Sequence, residues 1–386
     1  MQARVVLAAL LVLAAALPAA AQGQEPVVYS SLPLQGEYAD SARDIVRGIE
    51  LALERAGAPV RHVSLDDSTP QVGTWTPEAV ARNARRAARD GRAIAYIGEF
   101  NSGASAISLP ILNSEGLLQV SPSNTAIGLT ARGPGTDPGE PDKYYPSGER
   151  TYGRVIPDDR VQGRAAGVVL RDAGIERLLV LHDGEIYGRG MALLAARAAR
   201  ARGIRVVAVR RYRGRNAGRL AAEARLRRAD GVYFGGVGFT PAVRLWRALG
   251  RVRGLRLFGP DGLAFDDFAR RIPAGAARRT QITVSTLAPE AYPEAGQEVL
   301  RALGGGTDPY ALHGYEAMSV VLDALARGGP TRKGMVDAFF ATRDRDSVLG
   351  RYSIQPSGDT TLSRYGVYGV RDGRLVWERA VDAAVG

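Results

Sequence analysis

Short apolar, β-branched runs alternate with longer amphipathic segments along almost the whole chain, and this alternation constrains the fold more than any other feature. Runs at 27–32, 60–65, 93–98 and 117–120 read as strands, and the segments 40–56, 77–90 and 102–115 between them read as helices. In the first helix Ile45, Ile49 and Leu53 share one face, and Gly57 ends it. Strand–helix alternation of this kind is the signature of a parallel sheet covered on both faces. The segment 122–150 breaks the rhythm with Pro122, Pro134, Pro138 and Pro141, and reads as a long loop. The alternation then restarts. Helices are expected at 158–173, 186–202, 216–229 and 240–249, and strands at 177–182, 205–212, 231–235 and 256–259. The last third is less regular. It has a strand at 282–286, helices near 294–303, 309–326 and 333–342, and strands near 351–354, 365–371 and 375–379. The fold class is α/β, with two doubly wound parallel-sheet units of similar size.

The chain has 386 residues and is 45% hydrophobic, enough for two domains with real cores. It contains no cysteine, which excludes disulfides, thiolate metal sites and a cysteine nucleophile. Arg4, an apolar run over 5–17, Pro18 and three alanines at 19–21 form a secretory signal peptide over 1–21. No cysteine follows to take a lipid, and no later segment has the apolar length of a membrane span. The mature protein is therefore expected to be exported, periplasmic or extracytoplasmic. The net charge of +11 invites a nucleic-acid partner. The basic residues are almost all arginines spread along helix faces, as in Arg82, Arg85, Arg86 and Arg89, so solvated faces are the better reading. Export argues the same way, and no nucleic-acid partner is expected.

In open parallel sheets, ligands bind beyond the carboxyl ends of the strands. The strand at 93–98 runs into Glu99-Phe100-Asn101-Ser102-Gly103-Ala104-Ser105 and then a helix. Small residues and helix-start amides there suit a carboxylate, although Ser102 is equally read as an ordinary N-cap. The strand at 117–120 ends in Ser121-Pro122-Ser123-Asn124-Thr125, a hydroxyl-rich turn. Tyr187 follows the strand at 177–182, and Asp261 follows the one at 256–259. Tyr187 is placed to cover a ligand and Asp261 to pair with an ammonium, against the alternatives of a rim aromatic and a turn aspartate. Tyr38, before the first helix, is either a ligand cover or a surface staple.

These segments, in this order, resemble the Leu/Ile/Val-binding family of ABC-transporter solute-binding proteins, which have the type I periplasmic-binding fold. The marks are Leu32-Pro33-Leu34-Gln35-Gly36 with Tyr38, Asp66-Asp67, Ile97-Gly98 before Ser102 and Val120-Ser121-Pro122-Ser123-Asn124-Thr125. Asp159-Arg160-Val161-Gln162-Gly163, Asp183 with Tyr187-Gly188, Tyr233-Phe234-Gly235-Gly236 and Gly259-Pro260-Asp261-Gly262 continue the set. The resemblance implies two lobes joined by a three-strand hinge at 151–157, 283–287 and 349–353. The N-terminal lobe would comprise 26–154 with 286–349, and the C-terminal lobe 155–285 with 350–386. It implies a carboxylate held by Ser102, Ser123 and Thr125, an ammonium taken by Asp261, and Tyr38 and Tyr187 closing over the ligand. It also implies an amino acid of branched-chain type, or a similar small zwitterion or carboxylate, as the ligand. The partner would be a membrane permease of an ABC transporter, and the protein a monomer without cofactor. The family's aromatic after the paired glycines aligns with Val237 or its neighbours Gly238 and Phe239, which alters the side-chain pocket.

The residues speak against other classes. Gly184…Gly188-Arg189-Gly190 and Gly235-Gly236-Val237-Gly238 do not form a dinucleotide-binding fingerprint. His62, His182 and His313 lie far apart, without metal-ligand spacing. There is no nucleophile elbow, so no enzyme is expected. A transcription regulator of this fold would need a DNA-binding helix pair where the signal peptide stands. A ligand-sensing module for amides or related solutes is the remaining alternative.

Overall fold

The computed structural model describes residues 25–238, 240–304, 308 and 310–383. The signal peptide expected over 1–21, and Phe239, lie outside these residues. The first sheet begins with β1 (Val27–Leu32), β2 (Arg61–Asp66) and β3 (Ala93–Gly98), linked by helices α1 (Ala39–Ala56) and α2 (Pro77–Arg89). Helix α3 (Ser102–Asn113), β4 (Leu118–Ser121) and β5 (Tyr152–Arg154) complete it. All pairings are parallel, in the order β2-β1-β3-β4-β5. Every residue of β1 and β3 is buried, as expected of central strands covered on both faces. Helix α2 starts where Pro77 occupies the first turn and Thr76 Oγ1 accepts the Ala79 amide at 3.2 Å.

The second unit carries α4 (Asp159–Asp172), β6 (Arg177–His182), α5 (Ile186–Ala201) and β7 (Arg205–Arg211). It continues through α6 (Ala217–Leu226), β8 (Gly231–Gly235), α7 (Thr240–Leu249) and β9 (Arg256–Gly259). Two short helices, α8 (Asp266–Arg271) and α9 (Ala274–Ala277), precede β10 (Thr280–Val284). The chain then returns to the first sheet with α10 (Glu294–Leu303), α11 (Tyr310–Gly328) and α12 (Arg332–Phe340). It ends on a hairpin, β11 (Arg364–Arg371) and β12 (Arg374–Asp382), added antiparallel to the second sheet. That sheet runs β12-β11-β10-β9-β8-β6-β7, and its pairings from β10 to β7 are parallel.

Helices α1 and α11 pack backbone to backbone. A Cβ at Gly48 would lie 2.0 Å from the Ala311 carbonyl oxygen, and one at Gly314 2.3 Å from that of Ile45. Only glycine permits this approach. It seals α11, a late segment of the chain, into the core that also holds Val28, Ile45 and Ile97. A separate core holds Leu179, Phe234, Trp246 and Ile282.

The chain passes between the sheets three times, at 155–158, 285–288 and 355–363. The last crossing falls later than the sequence suggests, because Tyr352 and Ile354 are still buried in the first core. The strand expected at 351–354 is instead two isolated bridges, Arg345 with Tyr352 and Ile354 with Thr360. The long loop is packed. Leu129, Tyr144 and Tyr145 are buried with Leu109 and Tyr152, and the Glu140 carboxylate accepts the Tyr144 hydroxyl at 2.6 Å and the Asp137 amide at 2.7 Å. The loop also reaches the second unit, where Arg189 on α5 contacts Asp137 at 2.6 Å and the Gly135 carbonyl at 3.1 Å.

Candidate ligand-binding site

The carboxyl ends of β3 and β4 meet those of β6, β8 and β9 around a cavity of about 330 Å³. All six side chains singled out in the sequence line it: Tyr38, Ser102, Ser123, Thr125, Tyr187 and Asp261.

On the first wall, α3 begins at Ser102, and the N-cap position belongs to Asn101, whose side chain makes no cap bond. Ser102 is therefore no N-cap. Its Oγ accepts the Ala126 amide at 3.3 Å, which leaves the hydroxyl proton to donate. The amides of Ser102 and Gly103, in the first turn of α3, have no intrahelical acceptor. Together they form a donor cluster beside a helix N-terminus, a natural place for a carboxylate. Ser123 faces the cavity differently from the expectation. Its hydroxyl donates to the Phe100 carbonyl at 3.0 Å, so it meets a ligand as an acceptor. Thr125 is buried, and its carbonyl accepts the Asp159 amide at 2.8 Å, stitching this loop to the start of α4.

On the second wall, Asp261 is only 6% exposed. Its Oδ1 accepts the Tyr187 hydroxyl, and also the Gly262 amide at 3.1 Å. Its Oδ2 accepts the Tyr310 hydroxyl at 3.0 Å. A carboxylate offers about four acceptor positions, and Tyr187, Gly262, Tyr310 and Gln162 engage them with neutral donors that leave its negative charge unpaired by any basic side chain of the lining among the described residues. Burial raises the Asp261 pKa above the usual carboxylate range, and the hydrogen bonds from Tyr187, Gln162, Tyr310 and the Gly262 amide oppose that rise. A cationic ligand group would favour the ionised form.

The rest of the cavity is aromatic and acidic. Tyr38 packs against Phe100 and Phe265 with ring centroids 5.1 and 5.7 Å apart, and Phe100 lies 6.1 Å from Tyr310. Trp75 and Val237 add to the lining. Asp183 and Glu185 join Asp261, and no lysine, arginine or histidine lines the cavity among the described residues. Burial pushes the Asp183 carboxyl up to about 6, against the pull of hydrogen bonds from neighbouring amides. Behind the first wall, Asp67 and Glu99 are both fully buried and near each other. Burial, and for Asp67 the adjacent Glu99 charge, raises both pKa values. No group of three or more His, Cys, Asp or Glu that could hold a metal occurs among the described residues.

Sequence reasoning missed Phe100, Trp75, Phe265 and Tyr310 as lining residues. Tyr310 opens α11, nearly fifty residues after Asp261, and no local pattern marks it. Glycine-Pro-Asp-Gly at the end of β9 announces a turn, whereas an aromatic at a helix start announces nothing.

Two mostly parallel sheets, with polar groups of both converging on one cavity, define a two-lobed binding protein. The chain belongs to the periplasmic binding protein family, whose model it matches over residues 30–374. It is 25% identical over 344 residues to an amino acid binding protein of Pseudomonas aeruginosa, covering 86% of this chain and 84% of that one. Its fold is similar to that of a leucine-binding protein, LivK, from Thermotoga maritima, with a TM-score of 0.78 at 21% identity over 92% of this chain and 99% of that one. A solute-binding protein of an ABC transporter from R. palustris, solved with benzoate, aligns with a TM-score of 0.74 at 18% identity, over 93% of this chain and 97% of that one.

Proposed function

We propose that this protein is the extracytoplasmic solute-binding component of an ABC uptake transporter, and that its cavity holds a small amino-acid-like zwitterion without transforming it. The observation that carries this reading is the pairing of opposite recognition groups on facing walls. Ser102 and the α3 amides offer unspent donors on one wall, and Asp261 presents a carboxylate with no basic partner in the lining among the described residues on the other.

Neither wall alone satisfies both ends of a zwitterion. Each charge-assisted hydrogen bond contributes roughly 1.5–3 kcal/mol net, while an unpaired buried charge costs several kcal/mol. A ligand that bridges the walls therefore favours the closed arrangement, by hinge motion at the three crossings. The charge of the cavity argues for an amino acid over a bare aromatic carboxylate. With Asp183, Glu185 and Asp261 in the lining and no basic side chain there among the described residues, a monoanion meets repulsion that an ammonium cancels. Amino acid binding by the P. aeruginosa relative and leucine binding by the T. maritima protein support the same class. The mature protein follows a signal peptide at 1–21, acts outside the cytoplasm as a monomer, and delivers its ligand to a membrane permease.

A thermal-shift panel of the twenty amino acids, their amides and aromatic acids tests this. Ligand at about 100 times its dissociation constant adds about 2.7 kcal/mol of stability. Stabilisation by amino acids, followed by a one-to-one calorimetric titration, is the expected result. A panel without a hit overturns the reading.

A further inference from the structure

Arg154, the last residue of β5, is fully buried and lines no part of the cavity, yet it holds the loop that does. Its Nη1 donates to the carbonyls of Asn124 and Ala126, both at 3.0 Å, on either side of Thr125. Its Nη2 donates to Thr130 Oγ1 at 2.6 Å, and its Nε to Asp359 Oδ1 at 2.8 Å. Asp359 lies in the last crossing between the sheets and is 1% exposed. Its second oxygen, Oδ2, accepts Arg160 Nη2 at 2.6 Å, from the first turn of α4 in the second lobe. The backbone runs the same way, because the Arg154 amide donates to the Gly358 carbonyl at 3.0 Å.

One buried aspartate of the hinge thus faces an arginine of each lobe, and one of those arginines clamps the ligand loop. A buried guanidinium left without its counter-charge is strongly unfavourable, so Asp359 and Arg154 stand or fall together. Turning the hinge strains the Asp359–Arg160 contact on one side and the Asp359–Arg154 contact on the other. Resting on the solute-binding reading above, we propose that Arg154 and Asp359 are positioning residues, which fix Thr125 and its neighbours for ligand and tie that loop to the lobe movement.

The test compares Asp359→Asn, Arg160→Gln and a control, Glu316→Gln. The control removes a charge of similar burial: Glu316 accepts Arg345 Nε at 2.6 Å and the Tyr352 hydroxyl at 2.7 Å, within the first lobe and away from the cavity. The first readout needs no ligand. Hydrogen–deuterium exchange of the segment 122–130 should quicken at least tenfold in Asp359→Asn and remain unchanged in Glu316→Gln. The second readout is calorimetric titration with L-leucine. Asp359→Asn should weaken binding at least tenfold, Arg160→Gln by a smaller factor, and Glu316→Gln should lower the melting temperature without changing affinity. Unchanged exchange at 122–130 in Asp359→Asn, or equal loss of affinity in Glu316→Gln, overturns the proposal. Should Asp359→Asn fail to fold, the exposed-side variant Arg160→Gln decides it: wild-type exchange and affinity there overturn the coupling. If the wild type binds no amino acid, the functional reading fails, while the exchange experiment still decides the positioning role.

Discussion

The Tyr310 hydroxyl donates to Asp261 Oδ2 at 3.0 Å, joining the start of a helix packed on the first sheet to the strand-end turn of the second. With the Tyr187 hydroxyl on the other oxygen, it fixes the carboxylate before any ligand arrives. Removing the phenolic oxygen in Tyr310→Phe should weaken amino acid binding by about 1 kcal/mol, the net worth of one hydrogen bond. Small-angle scattering of the ligand-free variant should show a larger radius of gyration than wild type.

In the proposed site, Asp261 supplies the charge that an ammonium requires. Asp261→Ala should cost at least about 2 kcal/mol of affinity, because the ammonium would be buried without its counter-charge. Calorimetry on the variant measures this, and wild-type affinity would remove Asp261 from the site.

The three carboxylates of the lining make ligand charge a sensitive probe. Benzoate should bind more weakly than phenylalanine or leucine by at least tenfold in competitive titration. Asp183→Asn should narrow that gap by lowering the negative charge around the cavity.

Trp75 is the one tryptophan in the cavity lining, since Trp246 is fully buried in the second core and Trp377 packs against Tyr368. Ligand should change the intrinsic fluorescence of the wild type. Trp75→Phe should abolish most of that change and leave the folded far-ultraviolet dichroism intact.

His62, on β2, gives a pH dependence with a definite sign. Burial pushes its pKa down to about 4 from the ordinary imidazole value, and Nε2 sits 2.9 Å from Ser30 Oγ. Between pH 4 and 6.5 the unfolded chain binds more protons at this residue than the native one. Its contribution to stability is therefore present above pH 6.5 and lost as the pH falls towards 4, by of order 2 kcal/mol. Urea melts of wild type and His62→Gln should show the variant losing less stability than wild type over that window.

The fold was legible where local pattern and tertiary packing agree. Buried β-branched runs such as Val27–Leu32 and amphipathic helices such as Ala39–Ala56 follow from periodicity alone. The short strand Tyr152–Arg154 did not, because three residues carry no period and its pairing with β4 is a long-range choice. The converse held at 351–354, where an apolar alternation buries Tyr352 and Ile354 without any ladder to join. At the site, strand-end turns advertise their polar residues, so Ser102 and Asp261 were visible. Glu99 was invisible as a buried acid, since nothing in Gly98-Glu99-Phe100 says that its side chain turns inward to meet Tyr96 at 2.7 Å. The Arg154–Asp359 pair joins residues about two hundred positions apart, and only the folded chain brings them into contact.

The long loop after β4 bears on how the lobes separate. A Cβ on Gly135 would lie 2.6 Å from the Gly190 Cα, so two bare backbones touch where the loop leans on α5, beside the Asp137–Arg189 ion pair. Pulling the lobes apart peels this seam and wets both backbones. In the proposed clamp this seam is a weak fastener on one flank, so a bulkier residue at Gly135, though not at Gly190, where a Cβ would meet nothing nearer than 4.0 Å, would wedge the jaws ajar and leave the protein resting in its receptive posture.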